Sequence, residues 1–279
     1  MKRSAGTVTA CVPAYNASDF ILETLDSLCA QTCSDLEILI SVDYSADDTA
    51  RLCERLARAD PRIRILVQRS RLGWLENVNH LLREAGGDYV FIAAHDDVLQ
   101  PGYVAALVSG LQSNPAAALA FSDLVIVDGE RRTVKRYRAG GLRSPTLRAM
   151  AMLFQVKGWW VPYRGLLRRE ALERCGSLKP SRAGEFSADW PWLLRLSLWG
   201  PLIRVPGTLC EKRLRPGSLS KSWSFGVSDW LAVDGICRDS IRGSDLTRGA
   251  KATLLLLSRL CWLRHLIGVS VTRLLAMWR

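Results

Sequence analysis

Several features that define common protein classes are missing from this sequence of 279 residues. No stretch of about 18 apolar residues is free of charged side chains, so we expect no membrane-spanning helix. The first ten residues, MKRSAGTVTA, lack the apolar core of a secretory signal, and the eight cysteines show no Cys-x-x-Cys spacing. These absences favour a cytoplasmic protein with reduced thiols.

Motifs of several enzyme classes are also absent. Neither a G-x-G-x-x-G turn nor a G-x-x-x-x-G-K-[ST] loop follows the first apolar segment, so a glycine-rich phosphate cradle is not supported. His80, His95 and His265 are the only histidines, which makes a histidine-rich zinc site implausible. No Ser/His/Asp or Cys/His arrangement suggests a covalent nucleophile.

Positive charge, by contrast, is abundant and unevenly placed. The net charge is +11; residues 131–148 carry seven basic side chains and residues 246–279 carry six, with no acidic residue in either run. Such runs indicate an anionic partner, either a phosphorylated molecule or an anionic bilayer, or simply a solvated basic face. Nucleic acid is not expected, because the runs lack interleaved aromatics and no nucleic-acid motif is present.

Short apolar segments alternate with amphipathic ones through the first half of the chain. TVTACVP, LEILISV, RIRILV, DYVFIAA and AALAFSDLVIV are typical of strands, and the segments between them have the periodicity and end signals of helices. This order predicts an α/β fold with a mostly parallel sheet flanked by helices.

Polar residues follow three of the predicted strands, in PAYNAS, SVDYSADDT and AAHDDV. Ligands of open parallel sheets bind at the carboxyl ends of the strands, so these clusters are expected to converge on one site. Asp96 and Asp97 are hard oxygen ligands suited to Mg²⁺ or Mn²⁺ shared with a diphosphate, and Asp43 could accept hydrogen bonds from a base or ribose. The alternative for Asp96 and Asp97 is a plain acidic turn.

Four segments in this order resemble the successive blocks of the family 2 glycosyltransferases. They are VPAYNAS (12–18), SVDYSADDT (41–49), LGWLENVNHLLREAGGDYVFIAAHDDVLQPGYV (72–104) and ADWPWLLRLSLWG (188–200). GLLRREALERCGSL and RLRPGSLS lie at the places expected for two further blocks, so the resemblance covers roughly residues 7–220.

This resemblance implies a GT-A (Rossmann-like) fold and an inverting transfer from a nucleotide-diphospho-sugar, of UDP or dTDP type, with Mg²⁺ or Mn²⁺ as cofactor. It assigns Asp189 as the base, with Glu185 as a fallback, and Asp97 as the metal ligand. The residues it assigns to the nucleotide are Pro13, Tyr15, Asn16, Asp43 and Asp96. Candidates for the acceptor or the diphosphate are Trp159, Trp160, Arg215 and Lys221.

The sequence departs from the family pattern at several of these blocks. AHDD stands where the family often has DSDD, Val42 and Ala188 replace frequent acids, and Arg215 replaces the histidine that often precedes PGS. A guanidinium carries charge to a diphosphate but cannot ligate a metal. These departures keep open a non-catalytic nucleotide-sugar-binding relative with a regulatory or scaffold role.

We therefore expect a donor-binding half (1–125), an acceptor-binding half (126–222) and a basic helical C-terminal extension (223–279). The resemblance implies a glycan or lipid-linked acceptor in surface polysaccharide or lipopolysaccharide biosynthesis. The leucine-rich, basic pattern of the extension fits a helix on an anionic membrane surface, which would make the protein peripheral to the inner face of the cytoplasmic membrane. A helical hairpin packed on the catalytic part, or a dimer surface, fits the pattern equally.

Overall fold

The computed structural model describes residues 6–138, 144–215 and 225–261. The strands are β1 (Val8–Ala14), β2 (Leu36–Val42), β3 (Ile63–Val67), β4 (Tyr89–Ile92), β5 (Asp97–Leu99), β6 (Leu119–Val127), β7 (Thr133–Tyr137), β8 (Leu166–Arg168) and β9 (Leu202–Arg213). The helices are α1 (Ile21–Cys29), α2 (Thr49–Ala59), α3 (Trp74–Glu84), α4 (Tyr103–Gln112), α5 (Pro145–Leu153), α6 (Arg169–Cys175), α7 (Asp189–Trp199) and α8 (Val227–Arg242), with a 3-10 turn at Val161–Arg164.

One side of the sheet is parallel, as predicted. β1 lies between β2 and β4 and runs parallel to both, while β3 pairs in parallel with β2. All seven residues of β1 are buried, because helices such as α3 pack against the strand and leave neither face to solvent. The α/β fold with a helix-flanked sheet is confirmed.

The other side of the sheet is mixed, and the sequence did not predict it. β8 pairs antiparallel with β4 and β6, β9 runs parallel to β6, and β5 pairs antiparallel with β9. β5 and β8 are three residues long, β7 is polar and exposed, and β9 contains Pro206 and Gly207. None of these segments has the period-two apolar pattern on which recognition of a strand depends.

The expected boundary near residue 125 falls inside β6. The strand order is β3-β2-β1-β4-β8-β6-β9-β5, so strands from both expected halves alternate in one sheet. The two expected halves therefore share one sheet.

A helical layer of α5, α7 and α8 follows, and residues 248–261 form a further helix. Leu254, Ser258 and Cys261 are buried, and the Cys261 thiol donates to the carbonyl of Leu153 at 2.8 Å. This part of the extension thus packs on the catalytic part, while Leu256 and Leu260 stay exposed. Residues 262–279 of the predicted membrane helix lie outside the described residues.

Within the described ranges, no helix is both long and apolar enough to cross a membrane. All eight cysteines carry free thiols, as the sequence predicted.

Candidate active site

A cavity of about 440 Å³ opens where β1 and β4 end, bordered by the 3-10 turn, the start of α7 and the end of β9. Six of the predicted site residues line it: Pro13, Asp96, Trp159, Trp160, Asp189 and Arg215. A cavity of about 540 Å³ among α6, α7 and α8 contains none of them. The structure thus brings together residues that are up to 202 positions apart in the chain, and the 440 Å³ cavity is the candidate active site.

The loops after β1 and β2 hold each other in place beside this cavity. The amide of Ala46 donates to Oδ1 of Asn16 at 2.9 Å, and the amide of Asn16 donates to the hydroxyl of Ser45 at 3.1 Å. Asn16 adopts a φ of 42°, a left-handed conformation that asparagine tolerates better than most residues. The predicted nucleotide loop is therefore joined to the loop after β2 by two hydrogen bonds.

Asp43 lies next to these loops, and its carboxylate is fully engaged. Oδ1 accepts from the amides of Tyr44 (3.0 Å) and Leu72 (2.7 Å), and Oδ2 accepts from the amide of Gly73 (3.0 Å) and from Arg71 Nη1 (2.7 Å). The carboxylate is thereby tied to the loop that leads into α3.

Arg71, which sequence reasoning missed, links Asp43 to a second predicted residue. Its guanidinium lies 3.2 Å from the ring centre of Tyr15. Tyr15, Arg71 and Asp43 form one cluster beside the cavity rather than part of its wall. Arg71 lies alone between a predicted strand and a predicted helix, and no sequence motif or periodicity marks it as a site residue.

Asp96 and Asp97 are adjacent in sequence but play different structural parts. Asp97 begins β5, is 3% exposed and forms an ion pair with Arg164. It is absent from the lining of the 440 Å³ cavity, whereas Asp96 belongs to it. Asp96 Oδ2 accepts a hydrogen bond from Arg215 Nε at 2.8 Å.

His95 connects this pair to β1. Its Nδ1 lies 2.7 Å from the carbonyl oxygen of Pro13. Because a carbonyl only accepts, we assign the proton to Nδ1, which leaves the lone pair of Nε2 facing Arg215 Nη2 at 3.3 Å. Burial lowers the pKa of His95, in keeping with a neutral ring.

Arg215 therefore bridges Asp96 and His95, and its guanidinium also stacks on Phe20 at 3.7 Å from the ring centre. Burial opposes ionisation of Asp96, but the cations Lys212 and Arg215, the second of which also donates a hydrogen bond to it, lower the pKa of this carboxyl. Asp96 is thus ionised and already paired with a cation.

Lys212 adds another positive charge to the same wall, and sequence reasoning missed it too. It lies opposite Asp97 in the β5–β9 register and lines the cavity. Among the described residues its ammonium has no ion-pair partner within 4.0 Å. Burial lowers the pKa of Lys212, as expected for a cation held away from water.

The predicted Mg²⁺ or Mn²⁺ can be tested against these side chains. In the described ranges, no group of three or more His, Cys, Asp and Glu side chains is placed to hold a metal ion. The undescribed segments contain no Asp, Glu or Cys, and His265 is their single histidine. Since Asp97 pairs with Arg164 and both Asp96 and His95 face Arg215, these residues do not form a metal-ligand set, and the expected role of Asp97 has no support from its position.

Asp189 is the first residue of α7 and lies two positions after Ser187, whose φ is 52°. The helix N-cap is Ala188, so Asp189 is not the cap. Burial raises the pKa of Asp189 to about 6, against the opposing effect of the backbone N–H groups at the helix start. A carboxylate with a pKa near the working pH is suited to take a proton from a hydroxyl group.

Glu185, the fallback for this role, has a structural task. Its Oε2 accepts a hydrogen bond from the amide of Leu75 at 3.1 Å, in the first turn of α3. It is not part of the cavity lining. Asp189 is thus the acidic side chain that the structure places in the cavity on this side.

Aromatic side chains form much of the remaining wall. Trp160 packs edge-to-face on Tyr137 at 5.0 Å between ring centres, and Trp159 packs on Trp190 at 6.4 Å. Trp159 also lines a neighbouring cavity of about 290 Å³, whose wall is largely apolar and contains the basic residues Arg138, Arg148 and Lys157. Lys221, the remaining predicted residue, lies outside the described residues.

Comparison with known proteins shows the family to which the chain belongs. The family model described as Glycosyl transferase family 2 matches residues 9–176, more than half of the chain. A GalNAc(5)-diNAcBac-PP-undecaprenol beta-1,3-glucosyltransferase of Campylobacter jejuni is 31% identical over 134 residues, which are 48% of this chain and 42% of that protein. The alignment thus spans less than half the length of this relative.

Solved structures share the fold. TarS of S. aureus, in complex with UDP-GlcNAc, superposes with a TM-score of 0.68 at 17% identity over 89% of this chain and 70% of its own. The mannosyltransferase PcManGT of Pyrobaculum calidifontis, in complex with GDP-Man and Mn²⁺, gives 0.58 at 18% identity over 98% of this chain and 79% of its own. With the family match, these findings identify the chain as a glycosyltransferase with a GT-A fold, a member of glycosyl transferase family 2.

Proposed function

We propose that this protein transfers a sugar, with inversion, from a nucleotide-diphospho-sugar to a hydroxyl group of a glycan or lipid-linked acceptor. The observation that carries the proposal is the cavity that joins a cationic wall, with Lys212 and Arg215, to the carboxyl of Asp189. Donor and acceptor need such opposite surroundings, because one carries a diphosphate and the other must lose a proton.

In this mechanism the nucleobase of the donor lies near the Tyr15–Arg71–Asp43 cluster, and the diphosphate of the donor lies near Asp96 and Arg215. Asp189 accepts the proton of the acceptor hydroxyl as that oxygen forms a bond to the anomeric carbon. The bond from the anomeric carbon to the diphosphate breaks in the same step, and the nucleoside diphosphate leaves with its bonding electron pair. Cationic side chains stabilise the negative charge that develops on the leaving group.

The expected Mg²⁺ or Mn²⁺ is not part of this mechanism, because the described side chains do not form a ligand set for it. A uridine or deoxythymidine donor remains the prediction. The solved relative TarS was captured with UDP-GlcNAc, which supports a uridine nucleotide as the first to test.

The aromatic wall supports a sugar-containing acceptor. Trp159 and Trp160 present ring surface that suits a sugar face, and Trp159 also borders the 290 Å³ cavity with its basic wall. An acceptor with a phosphate and an apolar chain would match that second cavity. The Campylobacter relative, named for an undecaprenol-linked acceptor, supports surface polysaccharide biosynthesis as the setting.

Exchange of Asp189 for asparagine tests the proposal. Asp189→Asn keeps the shape of the side chain but removes its basicity, so transfer should fall about 100- to 10,000-fold while donor binding is retained. Glu185→Gln is the matched control and should leave transfer within a few-fold of wild type. Donor binding by a wild-type protein that transfers no sugar to any acceptor would favour the non-catalytic alternative instead.

A further inference from the structure

The wall that faces the proposed diphosphate contains more cationic than acidic side chains. Arg164 pairs with Asp97 and Arg215 pairs with Asp96, while Lys212 has no ion pair among the described residues. The wall therefore has one positive charge in excess before any ligand binds. A diphosphate is an anion that such a wall is built to receive.

Arg215 also uses the two lone-pair donors that a metal ion at this position would need as ligands. The two nearest lone-pair donors are Asp96 Oδ2, at 2.8 Å from Arg215 Nε, and His95 Nε2, at 3.3 Å from Arg215 Nη2. Both are used by the guanidinium, and the Pro13 carbonyl fixes the imidazole tautomer that makes this possible. Phe20 supports the guanidinium from its face, so the position of Arg215 is determined from three sides.

We propose that Arg215 and Lys212 take the place of a divalent metal at the donor diphosphate, and that this protein binds its nucleotide without Mg²⁺ or Mn²⁺. The inference rests on the proposed function, since it concerns the same donor site. Arg215 stays on Asp96 and His95 through its Nε and Nη2 atoms, which leaves Nη1 to donate to a phosphate oxygen. Lys212, which lines the same cavity, supplies a second donor.

Calorimetric titration of the full chain tests the proposal, with UDP, dTDP, GDP and CDP each in EDTA and in Mn²⁺. The tightest nucleotide should bind with the same affinity, within about twofold, under both conditions. Binding that appears only with Mn²⁺ would overturn the inference and leave the proposed function standing. Absence of binding by all four nucleotides in both conditions would overturn the donor site itself, and the inference with it.

Two variants of Arg215 assign the effect to this side chain. Arg215→Ala should weaken diphosphate binding in EDTA about 10- to 100-fold, the loss expected for a charge-assisted hydrogen bond, and should affect the matching nucleoside monophosphate much less. Arg215→His restores an imidazole beside Asp96, so its nucleotide binding should become at least tenfold tighter with Mn²⁺ than with EDTA. If Arg215→Ala binds the diphosphate as wild type does, Arg215 does not contact it and the proposal fails.

The matched control is Arg131→Ala. Arg131 is exposed, pairs with Glu23 and Glu211 and does not line the cavity. Arg131→Ala removes the same charge from the protein as Arg215→Ala does. An unchanged nucleotide affinity in Arg131→Ala therefore shows that local contact, rather than net charge, accounts for the loss in Arg215→Ala. Equal losses in both variants would assign the effect to the overall field and contradict the proposed contact.

Discussion

Asp96 and Asp189 line the same cavity, yet their surroundings shift their pKa values in opposite directions. Asp96 lies among His95, Lys212 and Arg215, and its pKa is lowered. Asp189 lies where burial dominates, and its pKa is raised to about 6. The environment, and not the residue type, therefore makes Asp96 the ionised partner of Arg215 and gives Asp189 the raised pKa that suits the base we propose.

A second comparison, between Asp96 and Asp97, predicts the largest effect on stability. Asp97→Asn leaves the buried guanidinium of Arg164 without its counter-charge and should lower the free energy of unfolding by about 3–5 kcal/mol. Asp96→Asn should cost about 1–2 kcal/mol, because the side chain of Arg215 is 26% exposed and can turn to water. Urea unfolding of the two variants measures the difference.

A double variant sharpens this comparison. Asp97→Leu with Arg164→Met removes both charges at once and should recover most of the stability that Asp97→Asn loses, since apolar replacement of a buried pair is often neutral. Equal destabilisation by Asp96→Asn and Asp97→Asn would mean that the two ion pairs are buried alike, contrary to the structure.

The pH dependence of transfer tests the raised pKa of Asp189. A base must be deprotonated to act, so kcat/KM should be constant above about pH 6 and should fall tenfold per pH unit below it. Asp234 in α8 is a necessary control, because burial raises its pKa to about 6 as well and it does not line the cavity. The kcat/KM profile of Asp234→Asn should keep its acid limb at about pH 6. An acid limb at about pH 4 in the wild-type profile would show that Asp189 is not desolvated.

The aromatic wall should give the smallest effect. Trp160→Ala removes a ring that lines the cavity, so the KM for the acceptor should rise about 3- to 10-fold, while the affinity for the nucleotide stays within twofold. Steady-state kinetics with donor and acceptor varied in turn separates the two. A change confined to the donor would place Trp160 beside the sugar nucleotide rather than the acceptor.

Much of the parallel part of the sheet was accessible from sequence, because a strand buried on both faces must be an apolar run and its connections are helices with recognisable ends. The mixed part was not. β8 has three residues, and β9 is interrupted by Pro206 and Gly207, so their pairing with β4 and β6 depends on partners far away in the chain.

The residues of the candidate site likewise divide into those that the sequence predicted and those that it did not. Pro13, Asp96, Asp189 and Arg215 could be named because each lies in a block whose order along the chain resembles a known family. Arg71, Arg164 and Lys212 could not, since an arginine or lysine in an unremarkable segment carries no sign of the carboxylate or cavity it will meet. For the same reason, sequence reasoning chose Asp97 as the metal ligand without the information that Arg164 lies against it.

The sequence alone determined the α/β class, the family and the polar clusters at the strand ends, because these follow from local periodicity and from the order of short motifs. Tertiary structure alone decided which charges face one another. Ionisation depends on burial and on cations within a few ångströms. Arg164 in the 3-10 turn and Arg215 after β9 lie 67 and 119 positions away from Asp97 and Asp96, the aspartates with which they pair. Whether a metal ion or Arg215 contacts the donor diphosphate therefore depends on the tertiary structure, and no single sequence motif predicts it.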